Sequence, residues 1–201
     1  VDCGHYQPAA PDHASLLDAD KRWVICVSQA RVEKRVEMIV RAAARICDRD
    51  EFADVSFVYV GDGEMRPAWQ ALARELGIET RFLFAGQQSN LLPYYQSASL
   101  MVHAADRESF GLVLAEAMAC GLPLVACAAA GPREIVADGV TGRLVAIDDE
   151  QGFGEAIANY LAQPALCERH GRAGRERAVE RFSIHRQAGQ IAAAIRKVVR
   201  G

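Results

Sequence analysis

The chain has 201 residues, a formal net charge of −3, 51% hydrophobic residues and 24% charged residues. This length can bury a real core and is typical of one domain. The charge favours no polyanion, which argues against a nucleic-acid partner. No apolar run approaches the roughly 20 residues that span a bilayer. The chain opens Val1-Asp2-Cys3-Gly4, with no start methionine and no secretory leader, so we expect a piece of a longer protein.

The six cysteines show no metal-ligand spacing, and most have apolar neighbours. This usage is typical of reduced, partly buried thiols in a cytoplasmic protein. We therefore expect neither a disulfide framework nor a metal site.

Residues 1–22 are irregular and contain two prolines, so we interpret them as a segment that leads into the fold. Short apolar runs beyond them predict strands. The strands are predicted at residues 23–27, 55–60, 81–85, 100–103 and 122–126, with a short sixth strand that ends at Val145.

Helical spacing of apolar residues fills the gaps between the strands. Helices are predicted at 34–47, around 69–76, around 91–95, at 112–120, from 131 onward, and from 150 to the end with breaks near Pro164 and Ser183. Strands that alternate with helices and are solidly apolar indicate an α/β fold: a Rossmann-like parallel sheet with helices on both faces. In such sheets ligands bind at the carboxyl ends of the strands.

The most informative stretch, residues 108–116, lies at a predicted loop-to-helix junction with Glu108 and Glu116 eight positions apart. Gly111 allows close approach of a ligand, and the first N–H groups of the helix would favour a diphosphate. Glu116 could simply complement the helix dipole, but Glu108 in the loop has no such explanation.

Other residues at this edge carry weaker signals. Lys34 follows the turn after the first strand and could reach the same edge, or it could be a solvated lysine at a helix start. Gly61-Asp62-Gly63 is a turn that often needs glycine for backbone reasons alone. His103 ends a strand, where a packed or hydrogen-bonded histidine is more common than a catalyst.

The C-terminal third is rich in arginine with interleaved glutamates, a pattern that favours a solvated helix face. Attachment to an anionic membrane surface is the alternative. The final helix, 183–201, carries an apolar stripe that could pack on a partner domain.

Taken in order, these stretches resemble the C-terminal, donor-binding half of a GT-B-fold glycosyltransferase of the large retaining family 4. The resemblance covers nearly the whole chain, and the spacing of Glu108 and Glu116 around Ser-Phe-Gly-Leu-Val-Leu-Ala is its most specific part. It implies an interdomain segment at 1–22, a donor domain at 23–182, and an N-terminal acceptor domain, outside this chain, on which helix 183–201 packs.

The resemblance also implies roles for single residues. Glu116 would hold the ribose hydroxyls of the nucleotide, and Glu108 would lie near the transferred sugar and its phosphate. Lys34 would neutralise the leaving diphosphate without a metal.

The remaining positions implied by the resemblance are donor contacts. The backbone at Phe110, Gly111 and Leu112 would contact sugar and diphosphate. The loop from Phe84 to Gly86 would lie by the base, and the Gly61 turn by the nucleotide.

Three departures from the family pattern concern the same edge. Gln29 stands where the family usually has an arginine, and Arg31 is nearby but not at the matching place. Ala104-Ala105 replaces Pro-Ser, and Ala130-Gly131 replaces a glycine pair. These changes bear on the identity of the donor more than on the class of reaction.

The predicted function is transfer of a sugar from a nucleoside-diphosphate sugar to an acceptor with retention of configuration, in the cytoplasm or at the inner face of the membrane. We expect the fragment alone to bind the donor but to catalyse poorly. Two alternatives stay open, a nucleotide-sugar epimerase of the same architecture and a non-catalytic nucleotide-sugar binding module. A dinucleotide-dependent oxidoreductase fails because no Gly-x-Gly-x-x-Gly follows the first strand.

Overall fold

A computed structural model describes residues 1–10, 15–186 and 188 of the chain. Its strands are β1 (Arg22–Val27), β2 (Val55–Val60), β3 (Phe82–Gly86), β4 (Leu100–His103), β5 (Leu124–Cys127) and β6 (Gly142–Val145). All pair in parallel, in the order β3-β2-β1-β4-β5-β6. The predicted Rossmann-like α/β fold is confirmed.

Seven α-helices alternate with or follow the strands. They are α1 (Val36–Cys47), α2 (Arg66–Glu75), α3 (Leu92–Gln96), α4 (Leu112–Ala119), α5 (Ala130–Ile135), α6 (Glu150–Ala162) and α7 (Pro164–Arg177). Short 3-10 turns span Val32–Lys34 and Asp50–Phe52, and a π-helical turn spans Ala178–Phe182. No helix among the described residues is both long and apolar enough to cross a membrane.

The sheet is covered on both faces because successive strand residues point to opposite sides. In β1, Val24 and Cys26 join the core under α1, α2 and α6, whereas Ile25 and Val27 join the core under α4. Every residue of β2 is buried. Burial on both sides explains why these strands are continuous apolar runs rather than alternating ones.

The first helix begins two residues later than predicted because of a backbone conformation that the residue pattern does not reveal. Arg35 adopts the left-handed conformation, with φ 48° and ψ 38°, between the Val32–Lys34 turn and α1. This conformation is costly for a residue with a Cβ. The Arg35 guanidinium donates to the Ile147 carbonyl at 2.6 Å, so the contact holds the strained residue in place.

Three strands also differ from the prediction at their ends, and β1 begins one residue early, at Arg22. Gly86 is the last residue of β3 and pairs with Val60 after a register shift, although it was expected to stop the strand. The fifth strand starts at Leu124, just after Pro123. Shifts of one or two residues are ordinary at element ends. The predicted helix 183–201 lies mostly outside the described residues.

The strand order reverses between β1 and β4, because β2 and β3 lie on one side of β1 while β5 and β6 lie beyond β4. Loops leaving the carboxyl ends of β1 and β4 therefore diverge and leave a crevice between them. In open α/β sheets this crevice is where ligands bind.

The lead-in segment is fastened to the domain by one arginine of α7. Arg175 donates to the carbonyl oxygens of Tyr6 at 2.6 Å and Cys3 at 3.0 Å, and it also donates to the Ala119 carbonyl at the end of α4. One guanidinium thus satisfies three carbonyl acceptors, two in the lead-in segment and one at the end of α4. The predicted boundary between residues 22 and 23 stays a prediction.

We expect Arg175→Met to lower the free energy of unfolding by roughly 2–4 kcal/mol. The substitution keeps the aliphatic stem but leaves three partly buried carbonyls without their charged donor. Chemical denaturation measures the loss.

Arg172→Met is the matched control, because Arg172 lies on the same helix, is exposed and only approaches Glu168 at 3.8 Å. Its expected cost is below roughly 0.5 kcal/mol. Equal losses in the two variants would show that Arg175 does not anchor the lead-in segment.

Candidate functional site

Two neighbouring depressions open at the carboxyl edge of the sheet. The first has a volume of about 520 Å³ and is lined by residues from the turns after β1, β2 and β3 and from the start of α4. The second, about 690 Å³, is lined by the Val32–Lys34 turn and the loop after β4. Arg31 lines the first and Lys34 the second, so the short 3-10 turn joins them. Both lie beside the switch point of the sheet.

Glycine forms the floor of the first pocket for steric reasons. Gly61 has φ 148°, and a Cβ there would lie 1.9 Å from the Ser28 carbonyl oxygen. A backbone hydrogen bond also joins the turns after β1 and β2, since the Ala30 N–H donates to the Asp62 carbonyl at 2.8 Å. The turn predicted to contact the nucleotide does line the pocket, but its glycine is required by backbone contact alone.

The centre of the second pocket is an ion pair across the crevice. Lys34 Nζ lies 2.7 Å from Glu108 Oε2, and each side chain is 16% exposed. His103 Nε2, at the end of β4, approaches the same oxygen at 3.3 Å. The distance lies within hydrogen-bond range, but the orientation of the ring leaves that nitrogen without a hydrogen-bond partner among the described residues. His103 and Lys34 together lower the pKa of Glu108 to about 2.

The helix start beside this pair is open to a ligand. Gly111 caps α4 with φ 90°, and the first N–H that bonds within the helix is that of Leu114, which donates to the Gly111 carbonyl at 2.9 Å. The N–H groups before it have no partner within the helix. Leu112, at the first helical position, is 59% exposed. The geometry is that of an anion site at a helix N-terminus.

The loop that carries Glu108 is held from behind by α5. Gly131 N donates to the Glu108 carbonyl at 2.8 Å, and a Cβ on Gly131 would lie 2.5 Å from the Phe110 carbonyl oxygen. Gly131 is therefore needed for packing against the motif. Phe110 itself packs edge-on against Phe182, with ring centroids 6.1 Å apart.

Glu116 occupies a different environment, one turn inside α4. Its Oε2 accepts a hydrogen bond from the Tyr95 hydroxyl at 3.0 Å, and burial raises the pKa of its carboxyl group. Tyr6 of the lead-in segment packs edge-on against Tyr95, with ring centroids 6.0 Å apart. Glu116 does not line the first pocket, although Val113 of the same helix does.

Tyr95 was not predicted as a site residue, although its residue type offered a signal. It is fully buried at 0% exposure, and a buried tyrosine hydroxyl needs a partner. The sequence placed Tyr95 only among the apolar positions of a short helix. Contact with a carboxylate 21 residues away could not be read from spacing.

The remaining predicted donor contacts are divided between the pocket and the core. Gln29 lines the first pocket together with Arg31. Phe84 instead joins an aromatic cluster with Tyr59 and Phe82, at centroid distances of 5.9 and 4.9 Å.

Residues just beyond β3 take the pocket positions that were expected of Phe84 and Gly86. They are Gln87 and Gln88. Over residues 1–10, 15–186 and 188, no cluster of three potential metal ligands occurs.

Comparison with known proteins identifies a matching protein family. The profile of the family described as Glycosyl transferases group 1 matches residues 11–177. N-acetyl-alpha-D-glucosaminyl L-malate synthase of Bacillus anthracis is 33% identical over 174 residues, which cover 87% of this chain and 45% of that protein. The chain thus spans about half the length of such curated relatives.

Solved structures show the same fold. Sucrose-phosphate synthase from Thermosynechococcus elongatus superposes with a TM-score of 0.88 and 31% identity, covering 99% of this chain and 51% of that one. The C-terminal domain of a glycosyl transferase group 1 family protein (LpcC) from Francisella tularensis gives a TM-score of 0.81 at 20% identity, covering 92% of this chain and 99% of that one. The parallel sheet matches that of GT-B glycosyltransferase structures.

We expect the stability that Glu108 contributes to depend on pH in one direction. Its pKa of about 2 in the folded chain lies below the roughly 4.3 of an unfolded glutamate. The contribution is therefore complete above the unfolded value and is lost as the pH falls through it toward 2. Urea denaturation from pH 6 to pH 3 should show the difference between wild type and Glu108→Gln shrinking.

Glu176→Gln, at an exposed position of α7, controls for removal of a carboxylate from the surface. If the Glu108→Gln difference stayed constant over the same pH range, Glu108 would not be held ionised by its neighbours.

Proposed function

The chain belongs to the Glycosyl transferases group 1 family, and on that premise we propose that it is the donor-binding half of a retaining glycosyltransferase of family 4. The whole protein would transfer a sugar from a nucleoside-diphosphate sugar to an acceptor. The observation that carries the proposal is the Lys34–Glu108 pair beside the open N-terminus of α4, at the switch point of the sheet. An anion site with two carboxylates nearby suits a ligand that bears both phosphates and hydroxyl groups.

The chemistry follows from where charge develops. As the bond between the anomeric carbon and the diphosphate oxygen breaks, negative charge grows on that oxygen. In this proposal the N–H groups at the start of α4 and the ammonium of Lys34 would stabilise it. This proposal uses no metal ion.

The two carboxylates take separate roles in the proposal. Glu116 would accept hydrogen bonds from the ribose hydroxyls, with Tyr95 fixing its orientation at 3.0 Å. Glu108, ionised and held by Lys34, would face the sugar. A hydroxyl group donates to either carboxylate, and a hydrogen bond to a charged group is among the stronger kinds.

The proposal needs a second domain. The chain spans about half of its relatives, and its fold matches nearly the whole of a solved C-terminal domain. Val32 and Leu112 are exposed apolar residues at the mouth of the site, at 57% and 59%. An N-terminal acceptor domain would cover them, with the segment 183–201 packing on that domain. We also propose a cytoplasmic location, supported by six unpaired thiols.

A non-catalytic nucleotide-sugar binding module is the second candidate. Gln29 favours it, because this neutral side chain lines the pocket where the family usually places an arginine. Arg31 lines the same pocket and could restore the cation. Product analysis with the full-length protein separates the two: sugar transfer supports the enzyme, and donor binding without transfer supports the module.

A thermal-shift panel of nucleoside diphosphates and their sugars tests the binding proposal directly. A ligand that binds the folded state raises the melting temperature with the logarithm of its saturation. The panel also identifies the base. If no member shifted the melting temperature, the chain would not be a nucleotide-sugar domain.

We expect Glu116→Ala to weaken binding of the nucleoside diphosphate by roughly 1.5–3 kcal/mol, because the ribose loses its carboxyl acceptor. Isothermal calorimetry measures the change, with Glu176→Ala on the surface of α7 as the control. Unchanged affinity in Glu116→Ala would remove this residue from the ribose site.

Glu108→Ala should reduce turnover of the full-length enzyme more than its affinity for nucleoside diphosphate, because Glu108 faces the sugar rather than the nucleotide. Steady-state kinetics and calorimetry on the same preparation give both quantities. Parallel losses would instead indicate that Glu108 only supports the loop.

A further inference from the structure

The Lys34–Glu108 pair creates a conflict for the proposed donor site. With Nζ held 2.7 Å from Glu108 Oε2, the pair is neutral as a whole. An arriving diphosphate therefore meets an ammonium whose charge is already compensated, and a carboxylate of its own sign. To neutralise the diphosphate, Lys34 has to turn away from Glu108. Glu108 is only 16% exposed, and it would then lack its cationic partner in a poorly solvated place.

His103 offers an unused donor at this position. It ends β4, its side chain is 2% exposed, and its Nε2 faces Glu108 Oε2 at 3.3 Å. That nitrogen is buried and forms no hydrogen bond within the described part of the chain. A buried polar atom without a partner destabilises the folded state and calls for an explanation. If this position were needed only for packing, leucine would fill it without burying an unpaired polar atom.

We propose that His103 is a positioning residue that takes over Glu108 Oε2 when Lys34 turns to the diphosphate of the donor. The inference rests on the proposed function of the same site. It requires the imidazole tautomer with its hydrogen on Nε2. The carboxylate has to align with the ring N–H, and the 3.3 Å contact has to shorten, to form a charge-assisted hydrogen bond of about 2.8 Å.

The proposed exchange assigns the movement to side chains. Lys34 is the last residue of the Val32–Lys34 turn and carries a flexible side chain, whereas His103 is fixed by the sheet. After the exchange Glu108 stays ionised and keeps its orientation, because Oε2 still has a donor. Its Oε1 stays available to a sugar hydroxyl. Lys34 thereby contacts the phosphate while Glu108 keeps a hydrogen-bond donor.

The experiment compares nucleoside-diphosphate binding to wild type, His103→Leu and His103→Gln by calorimetry. The ligand is the nucleoside diphosphate that gives the largest thermal shift with the wild-type protein. His103→Leu should weaken its binding about tenfold or more, because releasing Lys34 now strands Glu108. The amide of His103→Gln carries a donor close to the position of Nε2 and should retain binding within roughly threefold. The bare nucleoside, which has no phosphate to attract Lys34, should bind all three proteins equally.

A double-mutant cycle separates positioning from packing. In the Glu108→Gln background no buried charge has to be held, so adding His103→Leu should cost less than about twofold. An equal loss from His103→Leu in both backgrounds would overturn the proposal, and so would wild-type affinity in the single His103→Leu variant.

Two further outcomes complete the test. If wild type bound no nucleoside diphosphate at all, the proposed function would fail and this inference with it. If wild type bound and His103→Leu bound equally well, this inference alone would fail. Should His103→Leu not fold, nitrogen NMR of the wild-type imidazole decides. Nucleoside diphosphate should make the Nε2 proton exchange more slowly with water, and an unchanged exchange rate would overturn the proposal.

Discussion

One ion pair bridges the crevice on which the candidate site is built. Lys34 comes from the turn after β1 and Glu108 from the loop after β4, the two strands between which the sheet reverses its order. One backbone hydrogen bond joins the two loops, from the Asp106 N–H to the Glu33 carbonyl at 3.1 Å, and the ion pair adds a side-chain link beside it. At 2.7 Å, with both partners mostly buried, the pair brings opposite charges to the place where a ligand would enter. A bound anion would have to compete with this contact for Lys34.

Around this pair the site is made largely of backbone. The turn at Gly61 rests on the turn at Ser28, and Gly131 rests on Phe110, each at a distance that leaves no room for a side chain. The first turn of α4 offers N–H groups rather than charged side chains. Backbone donors held by such contacts need little reorganisation when charge arrives, which is the property that electrostatic stabilisation depends on.

The α/β architecture was predictable from the sequence because its signals are local and recur along the chain. Strand runs and helical spacing predicted the α/β sheet, and the pattern around Glu108 and Glu116 predicted a loop followed by a helix start. The left-handed conformation of Arg35 could not be predicted from local sequence, because the carbonyl that holds it lies 112 residues away.

The partners of the two carboxylates were likewise unpredictable from spacing. Tyr95 meets Glu116 and His103 meets Glu108 only because the sheet brings their loops and helices together. Phe84 illustrates the opposite case. The family resemblance implied that its loop lies by the base of the nucleotide, but no residue spacing indicated that its ring packs with Tyr59 and Phe82, while Gln87 and Gln88 line the pocket.

The glycine contacts have a consequence for how such a site can diverge. Any side chain at Gly61 or Gly131 would collide with a carbonyl oxygen, so the floor of the site tolerates almost no substitution. The rim is different, because Gln29, Gln87 and Gln88 are exposed and make no contact that the fold requires. Variation is thereby confined to side chains that face the ligand. A scaffold divided in this way can change the small molecule it selects by single substitutions while its stability is left intact.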